Sequence, residues 1–303
     1  MSGILLLVLC PVIGMLAARR RWMPPNAPAT INAWLIRVAL PCVILEQIPQ
    51  LHFDARLLLP LLGPFVLMFS TMAVMAVLAR RLGWDRGTQG AMTLCWGLGN
   101  TSFVGFPLLL AIIGPPAMGA ALIADQATFL ALTLIGLPVA AYFAGQTTRP
   151  IDLIKRVLMF TPFLALIVAG IAAVLLDDGH WPEPVDVVLK RLGDTLTPLA
   201  LAAVGFQFKP GAARRYAGLI GIGALWKMLL LPALMWGGAL AMGLHGMPIT
   251  IGILQVAMAP MITAGILASE HGLAPELSSA LVSVGIAMSF VTVPLWALVI
   301  GGY

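Results

Sequence analysis

The sequence predicts an all-α integral membrane protein of ten transmembrane helices, arranged as two inverted repeats of five. Three observations predict it. Hydrophobic residues fill 60% of the 303 positions and charged residues 10%, with a mean hydropathy of +1.01, whereas a soluble domain carries roughly 25% charged residues. Apolar runs long enough to cross a bilayer recur ten times between polar or Gly/Pro breaks. Five of them precede the basic stretch 149–156 and five follow it, an odd number per half, which makes the second half insert upside down. Ten spans of about 21 residues take up about 210 positions. That leaves no room for a soluble catalytic domain or a long tail.

The runs are 2–18, 28–48, 57–80, 88–113, 117–144, 153–176, 186–208, 214–243, 249–270 and 276–301. Within 88–144 the only break is Gly114-Pro115-Pro116. The first run does not read as a cleaved signal peptide, because no basic residue precedes it and Arg19, Arg20 and Arg21 follow it. Basic residues divide unevenly between alternate connections. One set holds Arg19, Arg20, Arg21, Arg80, Arg81, Arg86, Arg149, Lys155, Arg156, Lys209, Arg214 and Arg215; the other holds Arg56, Lys190 and Arg191. Twelve against three puts the first set in the cytoplasm and both termini outside. The acidic run Asp177, Asp178, Glu183 and Asp186 then also lies outside. The net charge of +5 is thus orientation signal rather than a sign of a nucleic-acid partner. Cys10, Cys42 and Cys95 are scattered within apolar runs and read as small hydrophobes.

This divides the chain into a first repeat at 1–144, a cytoplasmic connecting loop at 145–152 and a second repeat at 153–303. Traces of common ancestry join the halves. The stretch from Leu130 to Pro138 and the stretch from Ile286 to Pro294 match at an offset of 156. Pro41 and Pro198 read as mid-helix prolines 157 apart, and the fourth and ninth runs are both interrupted by Gly or Pro beside polar residues. Inverted repeats with interrupted helices in corresponding places point to a secondary transporter whose site lies where the two breaks meet.

The fourth run contains Gly97, Gly99, Asn100, Thr101, Ser102, Gly105 and Pro107 near its middle. Glycine and proline weaken the helix, and the freed amides are tolerable in a bilayer only where protein or water satisfies them. A half-helix restarting near Ser102 aims N–H groups at an anion, and Asn100 adds donors. Close helix packing is the structural alternative, since small residues serve that too; Asn100 then only caps the second half-helix. The ninth run offers Gln255, Pro260, Met261, Ile262 and Thr263. A lone proline kink is common in membrane helices, so it is the pairing with the fourth run that gives Pro260 meaning.

Ionisable residues inside the runs are Arg37, Glu46, Asp125, Asp194, Lys227 and Glu270. Each charge in a membrane interior is costly, so such groups face protein or water. Asp125 and Lys227 either neutralise each other or act in function, with Asp125 as a proton-coupling carboxylate. Gln126 lies about 100° round the helix from Asp125, so one cavity does not readily take both. Arg37, Glu46 and Asp194 sit near run ends, where snorkelling accounts for them. His52, His180, His245 and His271 fall in loops without metal-ligand spacing, so no metal and no cofactor is expected. No catalytic constellation or nucleotide motif appears, which argues against an enzyme or an ATP-driven pump.

The stretch from Asn100 through Gly105, Pro107 and Leu108 resembles the fourth-helix motif of the auxin efflux carrier family, in its bacterial branch of permeases. Ala259-Pro260, Leu267 to Glu270, Pro275 to Ser278 and Thr292 to Pro294 are similar to that family's last two helices. Arg20 to Pro41, and Lys227 with Pro232, also fit. The resemblance implies ten helices in two inverted repeats, a bile-acid-symporter-like fold with the fourth and ninth helices crossing at their breaks. It implies a scaffold of helices one, two, six and seven, a transport domain of three to five and eight to ten, and elevator-type movement. A carboxylate would bind at Asn100, with Gly99, Thr101, Ser102, Pro260, Met261, Ile262 and Gln126 around it. Asp125, Lys227 and Glu270 are the candidates for coupling. Gly99 stands where plant members carry a proline, and Met261 replaces a polar residue, which separates the substrate expectation from auxin.

The expectation is a carrier of a small organic anion in the bacterial inner membrane, driven by protons or the membrane potential. Membrane lipid is its other partner, and the scaffold helices are compatible with a homodimer. A sodium-coupled symporter of the bile-acid type is an alternative, although the chain offers few carboxylates for sodium. A non-transporting anion sensor is another, and it would need an output partner. A channel lacks a recognisable filter here.

Overall fold

A computed structural model describes all residues except Met1, His52, Phe53, Asp177, Lys209, Pro210, Ala212, Gly302 and Tyr303. The readings placed on His52, Asp177 and Lys209 therefore lie outside the described residues. Every element among the described residues is helical. Five continuous helical segments are long and apolar enough to cross a membrane: Ala27–Gln47, Ala55–Leu82, Pro115–Phe143, Ala217–Ala241 and Pro275–Ile300. A bent pair, Pro150–Leu158 with Thr161–Leu175, makes a sixth. Where ten spans are expected from apolar runs, five or six thus stand on length and composition. Part of the shortfall has a plain cause. The fourth and ninth apolar runs continue through residues 98–100 and 257–261, but regular helical hydrogen bonding does not.

The chain divides into two compact units. Unit 1 comprises Met1–Asp54, Ser102–Leu122 and Ile154–Phe208. In it α1 (Ser2–Arg20) packs along α12 (Leu196–Gln207) with almost no space between backbones. A Cβ on Gly14 would come to 2.0 Å from the Ala202 carbonyl oxygen, and one on Gly205 to 2.0 Å from that of Pro11. This is the close approach that small residues permit between membrane helices. Helix α2 (Ala27–Trp34) continues through a π-helical turn at Leu35–Ala39 into α3 (Leu40–Gln47). Against α3 pack α10 (Thr161–Leu175) and α11 (Glu183–Gly193). The Trp181 indole N–H donates to the Leu45 carbonyl at 2.7 Å, and that of Trp34 to the Thr195 hydroxyl at 3.1 Å. Arg37 and Asp194 are exposed and Glu46 is partly buried.

Two expectations are corrected in this region. Pro198 is not mid-helix: α11 ends at Gly193 and α12 begins at Leu196, so Pro198 lies in the first turn of α12, where its missing N–H is not needed. Helix α9 (Pro150–Leu158) starts inside the segment read as a loop. Pro150 opens it, and Ile151, Ile154 and Leu158 line one face, with Asp152 and Arg156 turned away from it and Lys155 at its edge. Such a helix is amphipathic rather than spanning, and it meets α10 at 59°.

Unit 2 comprises Ala55–Thr101, Ile123–Leu153 and Lys209–Tyr303. The long helix α4 (Leu58–Leu82) packs against α5 (Arg86–Gly97) and α15 (Met247–Val256). Helix α5 also meets α16 (Ile262–Glu270) and α17 (Pro275–Ile300). Met68, Leu94, Leu98, Leu132 and Leu267 anchor the core among these helices. Burying each such side chain is worth about 1.5–3 kcal/mol in water, but in a bilayer tight packing and polar contacts replace that drive. At one close contact the structure uses glycine. Trp96 at the end of α5 is fully buried, and a Cβ on Gly223 would come to 2.0 Å from its Nε1. Gly223 belongs to α13 (Ala217–Ala224), which leads through a π-helical turn at Leu225–Leu230 into α14 (Leu231–Ala241).

Candidate functional site

Helix α5 starts cleanly. The Asp85 carboxylate caps it, accepting the Thr88 N–H at 2.9 Å and the Thr88 hydroxyl at 2.6 Å. These bonds hold its carboxyl below the usual aspartate range. The helix ends at Gly97, and Leu98 is extended, with φ −127° and ψ 135°. Regular winding resumes at Thr101, in a π-helical turn to Gly105 that leads into α6 (Phe106–Ile112). In the second half of the chain α15 stops at Val256, and α16 starts at Ile262 after an extended Met261.

The two breaks meet. Gly99 and Pro260 form an antiparallel bridge. The Asn100 N–H donates to the Ala259 carbonyl at 2.8 Å, and the Met261 N–H donates to the Leu98 carbonyl at 3.1 Å. In this pattern the bridging residues themselves donate nothing, so proline at position 260 loses no bond. A side chain at Gly99 would come to 3.2 Å from the Gln255 carbonyl oxygen. Each broken helix thereby lends the other the hydrogen bonds it gave up, as a non-helical backbone inside a membrane requires.

A lysine sits on this junction. Lys227, in the π-helical turn Leu225–Leu230, is fully buried. Its Nζ donates to the Leu98 carbonyl at 2.7 Å, the same oxygen that accepts from Met261; a carbonyl has lone pairs for both. The partner of Lys227 is therefore a backbone carbonyl at the break, not the Asp125 carboxylate that the sequence suggested. Asp125, in α7 (Met118–Ala131), is 6% exposed and accepts the Thr101 hydroxyl on Oδ1 at 2.5 Å. Its Oδ2 accepts from Gln126 Nε2 at 3.4 Å. The 100° offset between Asp125 and Gln126 does not separate them, because the longer glutamine side chain turns back to its neighbour. Among the described residues Asp125 and Lys227 are the only buried side chains that carry a charge.

Gly99, Asn100, Thr101, Pro260, Asp125, Gln126 and Lys227 thus form one connected cluster, with Met261 and Ile262 at the start of α16. Asn100 is 2% exposed. Ser102, the next residue along, belongs to unit 1. Glu270 is not part of the cluster; it is exposed at the last position of α16. Gln255, named in the ninth run but given no role there, and Trp96, not singled out from the sequence, are both buried beside the junction. Trp96 is an aromatic in an apolar run, which carries no signal of its own. A cavity of about 500 Å³ in unit 1 is lined in part by Glu46, Lys190, Asp194 and Thr197, and by none of the expected binding residues. The three cysteines are free and buried, and the described residues hold no group of three or more His, Cys, Asp or Glu side chains suited to a metal.

The chain was compared with known proteins. It is 24% identical over 277 residues to an uncharacterized transporter of Methanothermobacter thermautotrophicus, covering 90% of this chain and 89% of that one. It is 20% identical over 303 residues to an uncharacterized transporter of Methanocaldococcus jannaschii, covering 98% and 97%. It is 25% identical over 293 residues to a Rhizobium meliloti protein designated a candidate malonate transporter, covering 93% and 89%. These relatives are membrane transporters by name, not enzymes. With its apolar helices the chain is a multi-pass membrane protein. The family model described as membrane transport protein matches residues 1–297, so the chain belongs to that family, the auxin efflux carrier family that its helix motifs resemble.

Proposed function

We propose that this protein is a secondary carrier of a small organic anion in the bacterial inner membrane, with both termini outside. In this reading the chain crosses the membrane ten times, as two inverted repeats, and works by elevator-type alternating access. A proton gradient or the membrane potential drives it. The observation that carries the reading is the junction of two broken helices with a fully buried lysine amine on it. Burying an ammonium costs several kcal/mol even after relaxation, and one hydrogen bond to a carbonyl returns only part of that. An anion arriving at the junction would return the rest. The donors close by are the Asn100 amide and the N–H groups that open the restarted helices, while the Thr101 hydroxyl is held by Asp125.

The division into units supports the scaffold and transport assignment, because the first, second, sixth and seventh runs fall mostly in unit 1. The third, eighth, ninth and tenth fall in unit 2, while the fourth and fifth are shared. The name given to the Rhizobium meliloti relative makes a dicarboxylate the first substrate to try. Counterflow in proteoliposomes tests the reading with labelled malonate, other dicarboxylates and aromatic acids, each with and without a pH gradient. Saturable exchange of at least one of them is the expected result. A folded, reconstituted protein that exchanges none of them would refute it.

A further inference from the structure

We propose that Asp125 binds the coupling proton and that the Thr101 hydroxyl makes this proton a condition for anion binding. The inference rests on the anion site proposed at the junction, and it assigns that site's coupling ion. Two observations carry it. The first is charge. Asp125 and Lys227 are the charged side chains buried in unit 2, and both reach the same short stretch of backbone, at Thr101 and at Leu98. With the acid ionised and the lysine charged, the interior is neutral. An anion entering alone leaves one uncompensated negative charge in a medium of low dielectric, which is strongly unfavourable. For a singly charged anion one proton on Asp125 restores neutrality; for a dianion such as malonate it removes one of the two negative charges.

The second observation is the direction of a hydrogen bond. Thr101 opens the restarted helix, next to Asn100, and its hydroxyl donates to Asp125 Oδ1. A hydroxyl has a single hydrogen, so while Asp125 is ionised that hydrogen is committed to it. When a proton from solution adds to Oδ1, the acid becomes the donor and Thr101 Oγ the acceptor. The threonine hydrogen is then released and can turn toward a substrate carboxylate. Gln126 Nε2, 3.4 Å from Oδ2, is a donor in either protonation state, so of the two contacts it is the threonine that can reverse. No bond forms or breaks apart from the one O–H on Asp125.

Lys227 is the other group at the junction that can exchange a proton, and the Asp125→Asn variant below tells its uptake from that of Asp125. Cys95 is a buried thiol on α5, and Arg80, Arg81, Arg86, Glu270 and Glu276 are exposed at helix ends. Protonation therefore favours binding. Anion affinity falls as pH rises, by up to about tenfold per pH unit for one linked proton.

The test uses purified full-length protein in detergent, with malonate as the probe and succinate and phenylacetate beside it. Binding is followed by calorimetry across pH. Proton uptake is followed with an indicator dye above neutral pH, where malonate is fully ionised. Wild type should take up about one proton per anion bound. Asp125→Asn places an amide donor where the protonated acid would be, so it should bind at all pH values with no proton uptake. Thr101→Val should weaken binding about tenfold or more at low pH or in the Asp125→Asn background, yet little at high pH, and Thr101→Ser should behave as wild type. If wild type binds malonate without proton uptake, or uptake persists in Asp125→Asn, the coupling assignment falls while the anion site stands. An equal effect of Thr101→Val at every pH reduces Thr101 to a fixed contact and overturns the switch. If no probe binds to folded wild type, the anion site itself is refuted.

Discussion

Replacing Lys227 by methionine separates function from stability at this junction. The ammonium is fully buried and donates one hydrogen bond, to the Leu98 carbonyl. A bond from a charged donor is worth ~1.5–3 kcal/mol, while taking an ammonium out of water costs several kcal/mol after relaxation. Methionine matches the volume closely, a change that cores tolerate. The Leu98 carbonyl keeps the Met261 N–H, so no acceptor is orphaned. Lys227→Met should therefore melt at or above the wild-type temperature. Binding should respond in the opposite direction. A substrate carboxylate roughly 5.5 Å from the ammonium gains ~3 kcal/mol at an effective dielectric of about 20, or about a hundredfold in Kd. Thermal melting and malonate calorimetry on the same preparation read both quantities. A folded Lys227→Met protein with wild-type affinity would remove the lysine from the anion site. A large drop in melting temperature would make it a structural brace.

Three further outcomes follow from the geometry. Asn100→Ala should lower anion affinity by roughly ten- to a hundredfold, the value of one hydrogen bond to a charged group; Asn100→Asp should be worse, by calorimetry, because it sets a negative charge against the anion. If Asn100 only caps the restarted helix, the aspartate variant keeps wild-type affinity, since Asp caps as well as Asn. Gly223→Ala should destabilise by ~1–3 kcal/mol or more, because the new Cβ would lie 2.0 Å from Trp96 Nε1; Gly221→Ala, with nothing within 4 Å, should melt like wild type. Asp85→Ala should cost about 1 kcal/mol through the lost helix cap, read as a lower melting temperature. Because the folded-state pKa of Asp85 is depressed, its contribution is present above the unfolded value and fades in acid, as pH falls through the folded one.

Much of this junction was legible in the sequence, for a local reason. Gly97, Gly99 and Pro260 state in composition where regular hydrogen bonding must stop, and the helices do stop there, at Gly97 and Val256. Partners across the chain were not legible. Lys227 looked suited to Asp125 because only charge could be read; that it reaches the Leu98 carbonyl depends on how α5 and the turn at Leu225–Leu230 pack. Pro198 was misplaced because an apolar run conceals a helix boundary at Asp194. The amphipathic α9 went unseen because its nine residues were divided between a loop and a span.

Proline placement explains one more feature, and it bears on the cluster. Each of four π-helical turns, Leu35–Ala39, Thr101–Gly105, Leu132–Gly136 and Leu225–Leu230, ends two residues before a proline: Pro41, Pro107, Pro138 and Pro232. Proline cannot donate to the carbonyl four residues back, and its ring crowds that carbonyl. Widening the preceding turn relieves the crowding at the cost of one residue of register. The residue before the proline then bonds five positions back: Leu40 to Leu35, Leu137 to Leu132 and Leu231 to Trp226. At Pro232 the abandoned carbonyl is that of Met228, and the Trp296 indole N–H fills it at 2.7 Å. One residue of register turns a side chain about 100° round the helix. Thr101 and Lys227 both lie in such widened turns. The prolines behind them therefore help decide which way the hydroxyl and the ammonium face, without touching the junction themselves.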